Sequence, residues 1–185
     1  MVLSKADKVL KKIEAMTEKK FLPIIGPVKG QVLIKVIHEK NPKQILEVGT
    51  LIGYSAILMA KELDSDAQIT SIEIHAEEAK IARENIKEAD VPAKIEVIVG
   101  DALEVLPDLH GKFDMVFIDA AKEEYFKYLK LIENKLHKGS VIVVDNAGVF
   151  AEQMKDYLDN VRSSGKYKSE YFSFGEDGVE VSVKL

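Results

Sequence analysis

Met115-Val116-Phe117-Ile118-Asp119-Ala120-Ala121-Lys122 and Val141-Ile142-Val143-Val144-Asp145-Asn146 are two apolar runs that each end on a carboxylate. Four consecutive apolar residues bounded by polar ones suit a strand buried on both faces, as in a parallel sheet. A strand that stops at an acid delivers that acid to the rim of the sheet. In open α/β sheets ligands bind at the rim formed by the strand C-termini. The two runs therefore bring three oxygen donors and one amine to a shared edge.

The pattern outward from these runs alternates. Strands are expected at 44–48, 68–74, 94–99, 113–118 and 139–145, and helices at 54–63, 76–89, 102–106, 122–136 and 150–163. Two more helices precede them, at 3–18, with Val9, Leu10, Ile13 and Met16 on one face, and at 28–39. Phe21 to Pro27 reads as a loop punctuated by Pro and Gly. The last runs, 167–174 and 179–184, flank Gly175-Glu176-Asp177-Gly178 and read as a hairpin. This is an α/β chain with a mostly parallel sheet, helices on both faces and an antiparallel strand at or near an edge. The 185 residues suit a single domain, 1–185, with helices over 1–40 covering the ligand site and the sheet core in 41–185.

Composition excludes several chemistries. There is no cysteine, hence no disulfide and no thiolate metal site. Neither a signal peptide nor a membrane-length apolar run is visible, so no membrane partner and a cytoplasmic location are expected. No Gly-x-Ser-x-Gly occurs, so a serine triad is not indicated. His38, His75, His110 and His137 are dispersed and read as surface residues. The net charge is −5, with no block of like charge long enough to be a tail. The first twenty residues lean basic, however, through Lys5, Lys8, Lys11, Lys12, Lys19 and Lys20. That stretch is read as a solvated helix face, with an RNA-phosphate patch as the alternative.

Gly49-Thr50-Leu51-Ile52-Gly53 follows the first strand and opens a helix. The spacing is Gly-x-x-x-Gly, not the Gly-x-Gly-x-x-Gly of dinucleotide binders, and no phosphate-cradling Gly-Lys-Ser/Thr follows. Glu73 ends the second strand, where an acid accepts hydrogen bonds from ribose hydroxyls. Gly100-Asp101-Ala102 ends the third, in reach of an adenine edge. Together these favour an adenosine ligand without a pyrophosphate, S-adenosylmethionine. Asp119, Asp145 and Asn146 are all oxygen donors, which favours Mg²⁺, Mn²⁺ or Ca²⁺ over Zn²⁺. Taken singly, Asp119 also suits a helix N-cap and Asp145-Asn146 a polar turn. Lys122 opens a helix, where positive charge is unfavourable, so its presence asks for a reason.

At this point the chain resembles the metal-dependent O-methyltransferases typified by catechol O-methyltransferase. The markers are Gly26-Pro27-Val28-Lys29-Gly30-Gln31, Leu46-Glu47-Val48-Gly49, Gly53-Tyr54-Ser55-Ala56, Glu73, Phe117-Ile118-Asp119 with Lys122, Val144-Asp145-Asn146, Asp156 to Arg162, and Asp177-Gly178. The resemblance implies a Rossmann-like class I methyltransferase fold of seven strands, with strand seven antiparallel. It implies that Glu47, Gly49, Thr50 and Ser55 line the methionine part of the cofactor, with Ile25 and Tyr54 beside it. Glu73 is then the ribose acid, and Ile74, Asp101 and Ala102 meet the adenine. Asp119 serves both cofactor and metal, Asp145 and Asn146 complete the metal set, and Lys122 is the general base.

Three departures stand out. Ala120 and Ala121 replace a bulky aromatic between the metal aspartate and the lysine. Ala147-Gly148-Val149-Phe150 runs straight toward a helix where many bacterial relatives carry an insertion that contributes to the substrate pocket and dimer interface. The acid that grips the second catechol hydroxyl has no clear match, Glu170 or Tyr171 being nearest. The expected acceptor is a catechol-like small molecule. A hydroxylated nucleoside in tRNA is the runner-up, a non-catalytic adenosine binder is a further class, and a homodimer is left open.

Overall fold

In the computed structural model, residues 3–19 and 21–185 are described; Lys20 of the basic stretch lies outside them. Two helices lead, α1 (Lys5–Thr17) and α2 (Gly26–Lys40). Strands and helices then alternate: β1 (Gln44–Val48), α3 (Tyr54–Ala60), β2 (Gln68–Glu73), α4 (Ala76–Ala89), β3 (Lys94–Val99), α5 (Ala102–Asp108), β4 (Phe113–Ile118), α6 (Tyr125–Ile132), β5 (Leu136–Val144) and α7 (Lys155–Ser163). The hairpin β6 (Tyr167–Phe174) and β7 (Asp177–Lys184) closes the sheet.

Local chemistry accounts for the helix ends. Ser4 and Asp7 form a reciprocal capping box on α1. Pro27 sits in the first turn of α2, where its missing N–H costs nothing, and Asn41 ends that helix in the left-handed region at φ 44°.

Strand order is β3-β2-β1-β4-β5-β7-β6. β1 pairs in parallel with β2 and β4, β2 with β3, and β4 with β5; β7 pairs antiparallel with both β5 and β6. The antiparallel strand is thus second from the edge, with β6 outside it. Order reverses at β1, between β2 and β4, which opens the ligand crevice of doubly wound sheets.

Side chains alternate between two cores, as the period of a strand requires. Ile45, Ile69, Met115, Phe117, Val141 and Val143 pack with Val9, Leu10, Ile13, Leu33, Ile37 and Ile57 of α1 to α3. Leu46, Ile72, Val116, Ile118, Ile142 and Val144 pack on the other face with Leu106, Tyr125, Leu129, Tyr157 and Leu158 of α5 to α7. Burial on both faces is the reason the central strands read as unbroken apolar runs.

Several boundaries differ from expectation. The helix expected over 122–136 is a 3₁₀ turn, Lys122–Glu124, then α6, then a second 3₁₀ turn, Glu133–Lys135. The helix expected from 150 starts at Lys155, because residues 147–154 form successive turns. Met16 is only partly buried, beside the buried Val9, Leu10 and Ile13. Lys5 and Lys12, from the basic face of α1, pair with Asp90 and Glu88 at 2.9 Å each. Among the described residues no helix is long and apolar enough to cross a membrane.

Candidate active site

The C-terminal ends of β1 to β5 line a cavity of about 890 Å³, and Phe21 to Ile24, between α1 and α2, form one wall. Gly49 makes the crevice possible. It has φ +96°, and a Cβ there would lie 2.2 Å from the carbonyl oxygen of Asp119, so only glycine lets the β1 and β4 ends approach.

One flank of the cavity, at β2 and β3, carries Glu73, Ile74, Asp101 and Ala102. Glu73 is nearly buried, and its two oxygens accept the backbone N–H groups of Leu51 at 2.7 Å and His75 at 2.9 Å. Its carboxylate is therefore held in one orientation. Asp101 caps α5 by accepting from the Leu103 N–H at 2.8 Å. His75, read as a plain surface residue, is exposed but lines the cavity, and its ligand atom lies within 4.8 Å of those of Glu73 and Glu78.

Behind this wall lies a buried polar cluster. Glu47 is fully buried and accepts from the Ser55 hydroxyl at 2.5 Å and from the Ser71 hydroxyl, which also pairs with Thr50. Burial pushes its carboxyl up to about 7, against the opposing pull of the two serine bonds. The Tyr54 hydroxyl donates to Glu14 at 2.6 Å, and burial followed by that bond raises the phenol well above its ordinary value. Ile25 is buried in the core ahead of α2. Glu47, Thr50, Tyr54, Ser55 and Ile25 stand behind the cavity lining, whereas Gly49, Glu73, Ile74, Asp101, Ala102 and Asp119 are on it.

The other flank, at β4 and β5, gathers Asp119, Lys122, Asp145 and Asn146 on the same cavity. The Lys122 ammonium lies 2.6 Å from Asp119 Oδ1 and 2.9 Å from the Tyr125 hydroxyl. That hydroxyl in turn donates to the Ile118 carbonyl at 3.2 Å. The 3₁₀ turn that breaks the expected helix begins at Lys122, so the lysine stands three residues after the acid it reaches. Asp145 is almost fully buried. Burial first, and then the charge of Asp119, lift its carboxyl to about 6 despite the Lys29 ammonium, which sits 2.6 Å from one of its oxygens and 2.8 Å from the other.

Lys29 and Asp177 carry no role in the sequence reading. The Lys29 ammonium also reaches Asp177 at 2.8 Å, and the Asn146 amide donates to the same Asp177 oxygen at 2.9 Å. Burial works against the Asp177 charge, but these partners outweigh it and hold the carboxyl at about 2. Lys29 did carry a signal, a cation in the first turn of a helix, the feature that singles out Lys122.

The donor set fits a hard divalent ion. Asp119, Asp145 and Asn146 can each present an oxygen, and the charge of Asp119 raises the cost of ionising Asp145, which a cation between them would relieve.

Known proteins resemble this chain in sequence and fold. The family model for O-methyltransferases matches residues 2–165. Catechol O-methyltransferase B of Danio rerio is 36% identical over 174 residues, 87% of this chain and 65% of that protein. Catechol O-methyltransferase of Sus scrofa is 34% identical over 172 residues, 86% of this chain and 91% of that protein. The crystal structure of the O-methyltransferase TomG from Streptomyces achromogenes, in complex with SAM, superposes with a TM-score of 0.86 at 26% identity, covering 100% of this chain and 92% of that one. The chain therefore spans just under two thirds of the zebrafish relative and nine tenths of the pig relative. Sheet order, crevice and sequence all lead to one assignment: the chain belongs to the class I, S-adenosylmethionine-dependent O-methyltransferase family typified by catechol O-methyltransferase.

Proposed function

We propose that this chain transfers a methyl group from S-adenosylmethionine to one of two neighbouring oxygens on a small, catechol-like acceptor. The observation that carries the reading is one cavity shared by two unlike sets of acids. Glu73 and Asp101 stand on the β2–β3 flank, where an adenosine would lie, and Asp119, Asp145 and Asn146 stand with Lys122 on the β4–β5 flank.

A divalent ion held by Asp119, Asp145 and Asn146 supplies, when bound, Lewis-acid chemistry that lowers the pKa of an acceptor hydroxyl. The side chains do the rest. Both oxygens of Glu73 already accept a backbone N–H and keep a second lone pair each for ribose hydroxyls. Lys122, once its ammonium has given up a proton to solvent, takes the acceptor proton at Nζ, and Asp119 and Tyr125 fix where that nitrogen stands. The acceptor oxygen then bonds to the methyl carbon as the carbon–sulfur bond breaks, and S-adenosylhomocysteine leaves. Holding the two reactants in line supplies much of the rate, since oriented pairs gain roughly 7–11 kcal/mol. Phe150 lines the acceptor side and Val149 lies exposed beside it, apolar surface suited to an aromatic ring.

Transfer of labelled methyl tests the proposal. Catechol should be methylated and phenol should not, with activity lost to a chelator and restored by Mg²⁺ or Mn²⁺. Full turnover in chelator would remove the metal from the mechanism. Methylation of unmodified tRNA without catechol turnover would replace the acceptor class.

A further inference from the structure

Asp177 opens β7, which arrives at the cavity rim from the hairpin side of the sheet. Its two oxygens have different partners. Oδ2 accepts from Asn146 Nδ2 at 2.9 Å and from Lys29 Nζ at 2.8 Å. Oδ1 faces the backbone N–H groups of Gly148 and Val149 at 3.4 Å and 3.3 Å. One carboxylate thus joins the hairpin, the first turn of α2 and the loop after β5.

The consequence for Asn146 is directional. A side-chain amide has a donor side and an acceptor side of nearly equal shape. With Nδ2 committed to Asp177, the Oδ1 side is the one left to face the cavity. Rotated by half a turn, the amide would offer N–H groups to a cation, which no cation accepts. The loop has little freedom to compensate. Asn146 itself sits at φ +63°, and a Cβ on Gly148 would fall 2.6 Å from the Tyr171 hydroxyl, so loop and hairpin are in direct contact.

We propose that Asp177 is the positioning residue of the metal site, fixing the Asn146 amide so that its oxygen, not its nitrogen, is presented to the ion. The inference rests on the metal reading above and adds to it a residue that touches neither ion nor substrate. Lys29 completes the device by tying Asp177 to Asp145, so that two ligands and their support move as one unit.

Mn²⁺ binding to the full chain, measured by calorimetry without acceptor, is the test. Asp177→Ala should weaken Mn²⁺ binding by roughly 10–100-fold, the usual cost of removing an outer-shell partner of a metal ligand. S-adenosylhomocysteine affinity in the same sample should stay unchanged. Asp177→Asn loses the same charge but keeps a carbonyl for Asn146 Nδ2, and should recover most of the lost affinity. In an Asn146→Asp background both oxygens are acceptors, orientation no longer matters, and Asp177→Ala should cost no Mn²⁺ affinity. If Asp177→Ala does not fold, Asp177→Thr takes its place, because it too lacks an acceptor at carboxylate reach and suits a strand. Equal losses in Asp177→Ala and Asp177→Asn would make the effect one of charge and overturn the positioning role. So would an unchanged Asp177→Ala, or an equal loss in the Asn146→Asp background. Wild-type protein that binds no Mn²⁺ would overturn the metal reading and this inference together, an outcome distinct from wild-type binding that Asp177→Ala leaves intact.

Discussion

Glu47 and Asp145 are both buried acids on this sheet, and they are kept by opposite means. Glu47 lies within β1 among hydroxyls, Ser55 and Ser71, whose bonds favour the charged carboxyl too weakly to overcome burial. Asp145 follows β5 against an ammonium, Lys29, and across from a second carboxylate, Asp119. Burial raises both, to about 7 and about 6. Burial alone therefore does not separate the acid behind the cavity from the acid on its lining. The partner does: a hydroxyl tolerates a proton, whereas an ammonium beside two acids marks a place built for positive charge.

The sharpest break of this contrast is Asp145→Ala. It should remove metal-dependent methyl transfer and Mn²⁺ binding while the chain still binds S-adenosylhomocysteine. Mn²⁺ affinity equal to wild type would mean that Asp145 is a turn residue. Next in size is Lys122→Met, which should lower kcat by roughly 10²–10⁴-fold, the contribution of a general base. Lys122→Arg should not rescue it, since guanidinium stays protonated at any working pH. The acceptor for this assay needs a hydroxyl pKa well above the assay pH. A wild-type kcat in Lys122→Met would leave solvent as the base.

Glu47→Gln probes the other side of the comparison. The native carboxyl keeps its proton up to about 7 and the unfolded one only to 4.5. Folded protein then binds more protons between those values, so this contribution to stability is fully present below about pH 4.5 and declines as pH rises to 7. The span of 2.5 units (7 − 4.5) corresponds to roughly 3 kcal/mol. Urea unfolding in chelator should show wild type losing that much relative to Glu47→Gln between about pH 4.5 and pH 8. Parallel curves for the two proteins would show that Glu47 titrates normally.

The smallest effect is expected at Glu73, a buried acid held by backbone N–H groups and neither hydroxyl nor ammonium. Glu73→Ala should weaken S-adenosylmethionine binding by about 1–3 kcal/mol, the range for hydrogen bonds to a charged group. Unchanged calorimetric affinity would detach Glu73 from the ribose.

Much of this was legible because central strands of a parallel sheet are buried on both faces. The runs ending at Glu73, Asp119 and Asp145 needed no tertiary knowledge, and those acids do line one cavity. The start of β5 was missed because Leu136-His137-Lys138 lacks an apolar run; pairing of Leu136 with Phe113 and the bond from the His137 N–H to Ser140 hold it instead. The interior place of β7 was hidden for a different reason. Glu180 and Ser182 alternate with valines and suggest a strand with one wet face. In the fold Glu180 is buried against the Arg162 guanidinium at 2.7 Å and 2.9 Å, and Ser182 is buried beside Ser169. Lys29 and Asp177 were markers of the resemblance without a role of their own, because their meaning lies in their meeting, 148 positions apart along the chain.

That separation gives the molecule an order of assembly. Contacts between distant positions carry a large loop-closure cost and form late. The last strand of the sheet is inserted between two earlier ones, β5 and β6. During vectorial synthesis Asn146 has no Asp177 to hold it until β7 arrives. The loop after β5 therefore gains its anchor only when the hairpin closes.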